Sequence, residues 1–160
     1  WHTDRHERTP LGRLVEAAKD CDDSTARTRI VDEIHAWVAS GGLLVEPDAI
    51  VVGIPSSPDR PNHLVSAVAR AVAAANGSAP VDAVVRRRAT VRLRDLDSSE
   101  RPAVVRAADY EVVEEVEGRH VVLVDDVVLS GTTLSHVADL LLAAGAASVQ
   151  PIAIARSRRS

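Results

Sequence analysis

Apolar positions fall first at helical spacing and then in short runs, and this change of rhythm organises the chain. Leu11, Leu14, Val15 and Ala18 recur at steps of three and four after Thr9-Pro10, a capping residue followed by a proline suited to the first helical position. A helix is predicted from about residue 10 to 19. The polar stretch Asp20 to Ser24 breaks it, and Ile30, Val31, Ile34, Trp37 and Val38 then mark a second amphipathic helix, which Gly41-Gly42 ends.

From residue 49 onward the apolar residues gather in short runs bounded by turn residues, as in strands buried on both faces of a parallel sheet. Ala49 to Ile54 is the first predicted strand; Pro55 and a loop rich in Ser, Pro and Asp lead to a helix over Asn62 to Ala75. Further strands are predicted at Val81 to Val85, Val121 to Val124 and Ser148 to Ala155, with a helix over Thr132 to Ala144. Strands alternating with helices predict an α/β fold: a doubly wound, mainly parallel sheet flanked by helices. Between Arg86 and Tyr110 periodicity is lost and nine charged residues precede Val104, which predicts a mobile excursion of the kind that serves as a lid.

Composition narrows the function. The chain has 160 residues, of which 46% are hydrophobic, so one domain over residues 1–160 is expected, with residues 1–45 as an N-terminal helical segment and 46–160 as the binding core. A net charge of -4 and only three aromatics, Trp1, Trp37 and Tyr110, argue against nucleic-acid binding, which favours positive charge and stacking faces. The lone Cys21 can form no internal disulfide, no run is long enough to span a bilayer, and the first residues are not signal-like, so a cytoplasmic setting is expected.

The chemistry concentrates in the run from Val121 to Thr133. Four apolar residues make a buried strand, Asp125 and Asp126 follow it, and a helix begins at Thr132 after Leu129, Ser130 and Gly131. Ligands of open α/β sheets bind at the carboxyl ends of strands, where these acids fall. Free amides and the positive end of a helix dipole at Ser130 to Thr133 suit a phosphate. Two carboxylates beside a phosphate repel it unless hydroxyls or a cation lie between, and a sugar phosphate carrying magnesium meets both demands. The duller readings are strand-end carboxylates that cap backbone amides, and an ordinary helix cap.

The same thirteen residues resemble the 5-phosphoribosyl-1-pyrophosphate (PRPP) signature of type I phosphoribosyltransferases: an apolar strand, two acids, three variable positions and a Ser/Thr-Gly phosphate loop. The resemblance implies a Rossmann-like fold, Asp125 and Asp126 on the ribose hydroxyls as the catalytic pair, and Leu129, Ser130, Gly131, Thr132 and Thr133 around the 5-phosphate. It also implies Mg2+ held through PRPP rather than directly by the protein, and a homodimer. Ile54-Pro55 to Asn62-His63 is similar to the pyrophosphate loop of the ComF-type (competence protein) branch, which places Ser56, Ser57 and Arg60 on pyrophosphate. The arginine-rich stretch, including Arg88, Arg92 and Arg94, is similar to that branch's flexible loop.

Departures from the branch are His63 where glutamine is expected, no glutamine or asparagine near Leu93 and Val104, and no zinc-ribbon cysteines. Leu129 stands where purine-salvage relatives carry an aspartate, which disfavours hypoxanthine or guanine as acceptor. The implied activity is transfer of a phosphoribosyl group to a nitrogenous small-molecule acceptor. The alternative is a PRPP-binding regulatory protein without turnover. Cys21, His35, His120 and His136 are expected to be structural or exposed rather than catalytic.

Overall fold

The computed structural model describes residues 9–59, 61–92 and 95–157. Helix α1 (Pro10–Asp20) starts where Thr9 Oγ1 accepts the Gly12 N–H at 3.1 Å. Helix α2 (Ser24–Ala39) begins earlier than its apolar stripe, because Asp23 caps it by accepting the Thr25 and Ala26 amides at 2.9 and 3.1 Å. Its face is narrower than expected: Ile30 and Val38 are buried, whereas Trp37 is 44% exposed.

Strand β1 (Ile50–Gly53) leads through a loop to helix α3 (His63–Ala75), capped by Asn62. Gly53 allows α3 to lie close, since a Cβ there would meet Val65 Cγ1 at 3.2 Å. Next come β2 (Val84–Arg86), α4 (Arg101–Ala107), β3 (Tyr110–Val112), β4 (His120–Val128), α5 (Thr132–Ala143) and β5 (Ser148–Arg156).

The parallel sheet runs β1-β4-β5, with Gly53 opposite Val124 and Val128 opposite Arg156. Helices cover both faces. Val51, Val122 and Val124 pack on one side with residues of α1, α2 and α3 such as Val15, Ile30 and Leu64. On the other, Val121 and Leu123 pack with Leu134, Val137 and Leu141 of α5. This is the expected α/β architecture. No helix among the described residues is long and apolar enough to cross a membrane.

Three expectations need correction. The run at Val81 to Val85 is not a strand of the parallel sheet: the chain touches β1 through a bridge between Val51 and Pro80, and β2 then pairs antiparallel with β3. Residues 86–110 are not without structure, because the β2–β3 pairing closes the root of the excursion and α4 lies within it. A helix of seven residues is too short to show a period, yet it buries Val105 and Arg101. Strand β4 does not stop at Val124; β5 runs alongside and pairs it as far as Val128.

Candidate functional site

The length of β4 places both acids inside a strand, where successive side chains point to opposite faces. Asp125 shares the face of Val121 and Leu123 with α5; Asp126 shares the face of Val122 and Val124 with α1 to α3. The two carboxylates therefore meet different surroundings.

Asp125 lines a pocket completed by residues 127–134, so Leu129, Ser130, Gly131, Thr132 and Thr133 all stand around the same hollow. Gly131 precedes α5 with φ of 79°, a left-handed conformation that a β-carbon disfavours, and it turns the chain from β4 into the helix. Ser130 Oγ and Thr132 Oγ1 are 2.7 Å apart. Aligned amides at the start of α5 and two hydroxyls at its mouth make this end of the pocket receptive to an anion.

Asp125 has a second duty. Beyond Ile54, whose N–H reaches the Val124 carbonyl at 2.8 Å, β1 no longer accompanies β4, and the Asp126 amide is served instead by Asp125 Oδ1 at 2.8 Å. Burial, and after it the charge of Asp126, push the Asp125 carboxyl up to about 7, against the opposing pull of that backbone bond and of Lys19.

Asp126, only 3% exposed, is fully engaged. Lys19 Nζ, from the last turn of α1, lies 2.9 Å from Oδ1 and 2.7 Å from Oδ2. Asn62 Nδ2 donates to Oδ2 at 2.5 Å, and the Val127 N–H to Oδ1 at 2.6 Å. These approaches account for about four acceptor positions, the capacity of an ionised carboxylate. Asn62 also caps α3, its Oδ1 accepting the Leu64 N–H at 3.0 Å, so one amide joins a helix start to the acid.

Other residues singled out from the sequence lie elsewhere. Ser57 is buried and its hydroxyl donates to Asp59 within the loop after β1; Ser56 is half-buried beside it. Arg88 pairs with Asp109 at 3.5 Å with its side chain 73% exposed, and Arg92 is exposed. Neither lines the pocket. Arg60 and Arg94 lie outside the described residues.

Sequence reasoning missed the contacts of three participants, although one of them, Asn62, fell within the stretch likened to the pyrophosphate loop. Lys19 and Asn62 carry no local signal of their pairing with Asp126, which is 107 and 64 residues away. Tyr110 is the third: its ring stands opposite Arg86 in the β2–β3 register, with the guanidinium 5.7 Å from the ring centre and His136 edge-on at 6.2 Å. Burial raises the phenol above its ordinary value, Arg86 opposes this, and the charge of Asp125 adds to the rise. Among the described residues no three His, Cys, Asp or Glu side chains are grouped to hold a metal ion.

Comparison with known proteins gives consistent likenesses. The model of the phosphoribosyl transferase domain family matches residues 64–160. The DNA utilization protein YhgH of Escherichia coli K12 is 41% identical over 76 residues, which is 48% of this chain and 33% of that protein. The match therefore spans about a third of the relative's length. Among solved structures, the glutamine PRPP amidotransferase of B. subtilis, complexed with ADP and GMP, is 25% identical with a TM-score of 0.56, over 81% of this chain and 26% of that one. An allosteric regulatory enzyme of purine biosynthesis is 23% identical with a TM-score of 0.54, over 81% of this chain and 26% of that one.

Proposed function

Since the chain belongs to the phosphoribosyl transferase domain family, we propose that it binds PRPP with magnesium and transfers the phosphoribosyl group to a nitrogenous small molecule, releasing pyrophosphate. One observation carries this reading: an acid on β4 and the anion-receptive start of α5 line a single pocket. Asp125 accepts hydrogen bonds from the sugar hydroxyls, and residues 129–133 surround the 5-phosphate. Magnesium would be carried by the phosphate oxygens of PRPP, where it would offset their negative charge.

In the reaction a nitrogen lone pair forms a bond to the ribose C1 as the bond from C1 to the pyrophosphate oxygen breaks. Positive charge on the sugar in the transition state is stabilised by the Asp125 carboxylate, and the chain contributes mainly position and electrostatics. Ser56, Ser57 and Arg60 follow β1, where the departing pyrophosphate is taken up. The arginines of the excursion, Arg88, Arg92 and Arg94 among them, close over it. The exposed free Cys21 accords with a cytoplasmic setting.

Calorimetric titration of PRPP with and without Mg2+, repeated on Asp125→Asn, tests the binding. We expect magnesium-dependent binding that weakens at least tenfold in the variant, about 1.4 kcal/mol; unchanged binding by the variant refutes the reading. A second reading, binding without turnover, is favoured by Arg88 and Arg92 standing away from the pocket. Pyrophosphate release measured against a panel of bases separates the two. The name of the E. coli relative refers to DNA utilization, so single-stranded DNA belongs in the panel as a control, although the net charge of -4 favours a small acceptor.

A further inference from the structure

We propose that Tyr110 is a positioning residue whose ring ties the root of the excursion after β2 to the start of α5, so that a sugar phosphate seated in the pocket also firms that root. This rests on the functional reading above and adds to it a residue that does not line the pocket.

Three elements converge on one ring. Tyr110 of β3 stands opposite Arg86 of β2, and with Val112 it packs against the face built by Leu134, Val137 and Leu141 of α5. His136 of the same helix meets the ring edge-on, with centres 6.2 Å apart and planes at 64°, a favoured aromatic arrangement. The Arg86 guanidinium lies 5.7 Å from the ring centre, within reach of cation–π attraction.

Arg86 carries the hold onward into the excursion. It donates to the Arg88 carbonyl at 3.0 Å and to Thr90 Oγ1 at 2.6 Å, so the turn from residue 86 to 90 is wrapped about one guanidinium. Beside it the Arg87 and Arg88 amides reach the Asp109 and Ala108 carbonyls at 3.0 and 3.1 Å. The other face of the β2–β3 ribbon carries Arg87 with Glu111, an exposed ion pair that water screens. The packed side of the root therefore leans on Tyr110.

Position connects this ring to the pocket. His136 stands one turn beyond Thr132, whose end of α5 faces the hollow. The charge of Asp125, which lines the hollow, acts on the Tyr110 phenol, as does that of Arg86. An anion at the start of α5 adds negative charge to this neighbourhood and so strengthens the hold on Arg86. Such coupling is reciprocal: the factor by which a ligand firms the root is the factor by which an intact root raises ligand affinity.

Ribose 5-phosphate tests this, because it carries the sugar and the 5-phosphate of PRPP but no pyrophosphate for the excursion to close over. Amide exchange at Arg87 and Arg88 and calorimetric affinity are measured for the full chain, for Tyr110→Phe, which keeps the ring, and for Tyr110→Leu, which does not. Arg86→Gln, which removes the cation, serves as a second route should Tyr110→Leu fail to fold; circular dichroism and thermal unfolding decide that. In the full chain, saturating ribose 5-phosphate should slow exchange of both amides at least threefold. Tyr110→Phe should keep this slowing. Tyr110→Leu and Arg86→Gln should lose it and should bind the probe more weakly by about the same factor, which a merely structural contact would not link.

Binding of the probe to the full chain without slowed exchange overturns the tie and leaves the functional reading standing. Slowing that survives in the folded Tyr110→Leu or Arg86→Gln also overturns it, as does a loss in Tyr110→Phe as complete as in Tyr110→Leu. If ribose 5-phosphate does not bind the full chain even at millimolar concentration, the pocket takes no sugar phosphate, and the functional reading fails together with this inference.

Discussion

Lys19 and Asp126, separated by 107 residues, meet with Nζ 2.7 Å from Oδ2. The contact makes the N-terminal helix part of the site. Removing one partner of an ion pair leaves the other charge uncompensated, and hydrogen bonds to charged groups contribute roughly 1.5 to 3 kcal/mol. The Lys19 side chain is 36% exposed, so water screens part of this. Lys19→Met should therefore lower stability by about 1 to 2 kcal/mol, read as a fall of a few degrees in Tm.

Asp125 should make stability depend on pH. Its carboxyl is pushed from 3.8 up to about 7 on folding, so between these values the folded chain holds more protons than the unfolded one. The stability linked to this group is complete below about pH 4 and is lost as pH rises through about 7. Urea unfolding at pH 5 and pH 8 should show the loss in the unaltered chain and a smaller one in Asp125→Asn. Ligand binding should follow the opposite course. Hydroxyl donors need the ionised acid, so PRPP affinity should rise between pH 6 and pH 8, and the variant should lose this rise.

The run Val121–Thr133 was readable in the sequence because its chemistry is contiguous: four apolar residues, two acids and a small-residue turn follow one another, and the structure gathers Asp125 and residues 129–133 around one pocket. What it concealed were relationships across the chain. A lysine at the end of one helix and an asparagine at the start of another look like ordinary solvated and capping residues until the fold brings both to Asp126. The extent of β4 was hidden for a different reason. Aspartate is a poor strand residue on its own, and here the pairing of Asp125 with Ala153 keeps the strand going. The antiparallel pairing of β2 with β3 was equally obscure, because the charged excursion between them gives no period to follow.

Gly131 offers a local test. Its φ of 79° suits glycine, and a β-carbon would meet nothing within 4 Å, so alanine there costs backbone strain rather than a clash. Gly131→Ala should lose about 1 to 2 kcal/mol, measurable by denaturant unfolding. PRPP binding should weaken as well, since the turn that presents the α5 amides is displaced.

Arg86 anchors the excursion at its root. It donates to the Arg88 carbonyl at 3.0 Å and to Thr90 Oγ1 at 2.6 Å while lying over Tyr110. Arg86→Ala should speed amide exchange across residues 87–92 with little change in β4. Unchanged exchange there would mean that the loop is held by other contacts, such as the buried Arg101.

The bond from the Asp126 amide to Asp125 Oδ1 stands where a neighbouring strand would otherwise serve the backbone. Under the proposed reading, an incoming hydroxyl meets a carboxylate that already holds a peptide hydrogen in place, so its arrival changes the charge which that hydrogen feels. Occupancy of the pocket should consequently be written into a single proton, whose chemical shift and solvent exchange would register the ligand's arrival before any larger movement did.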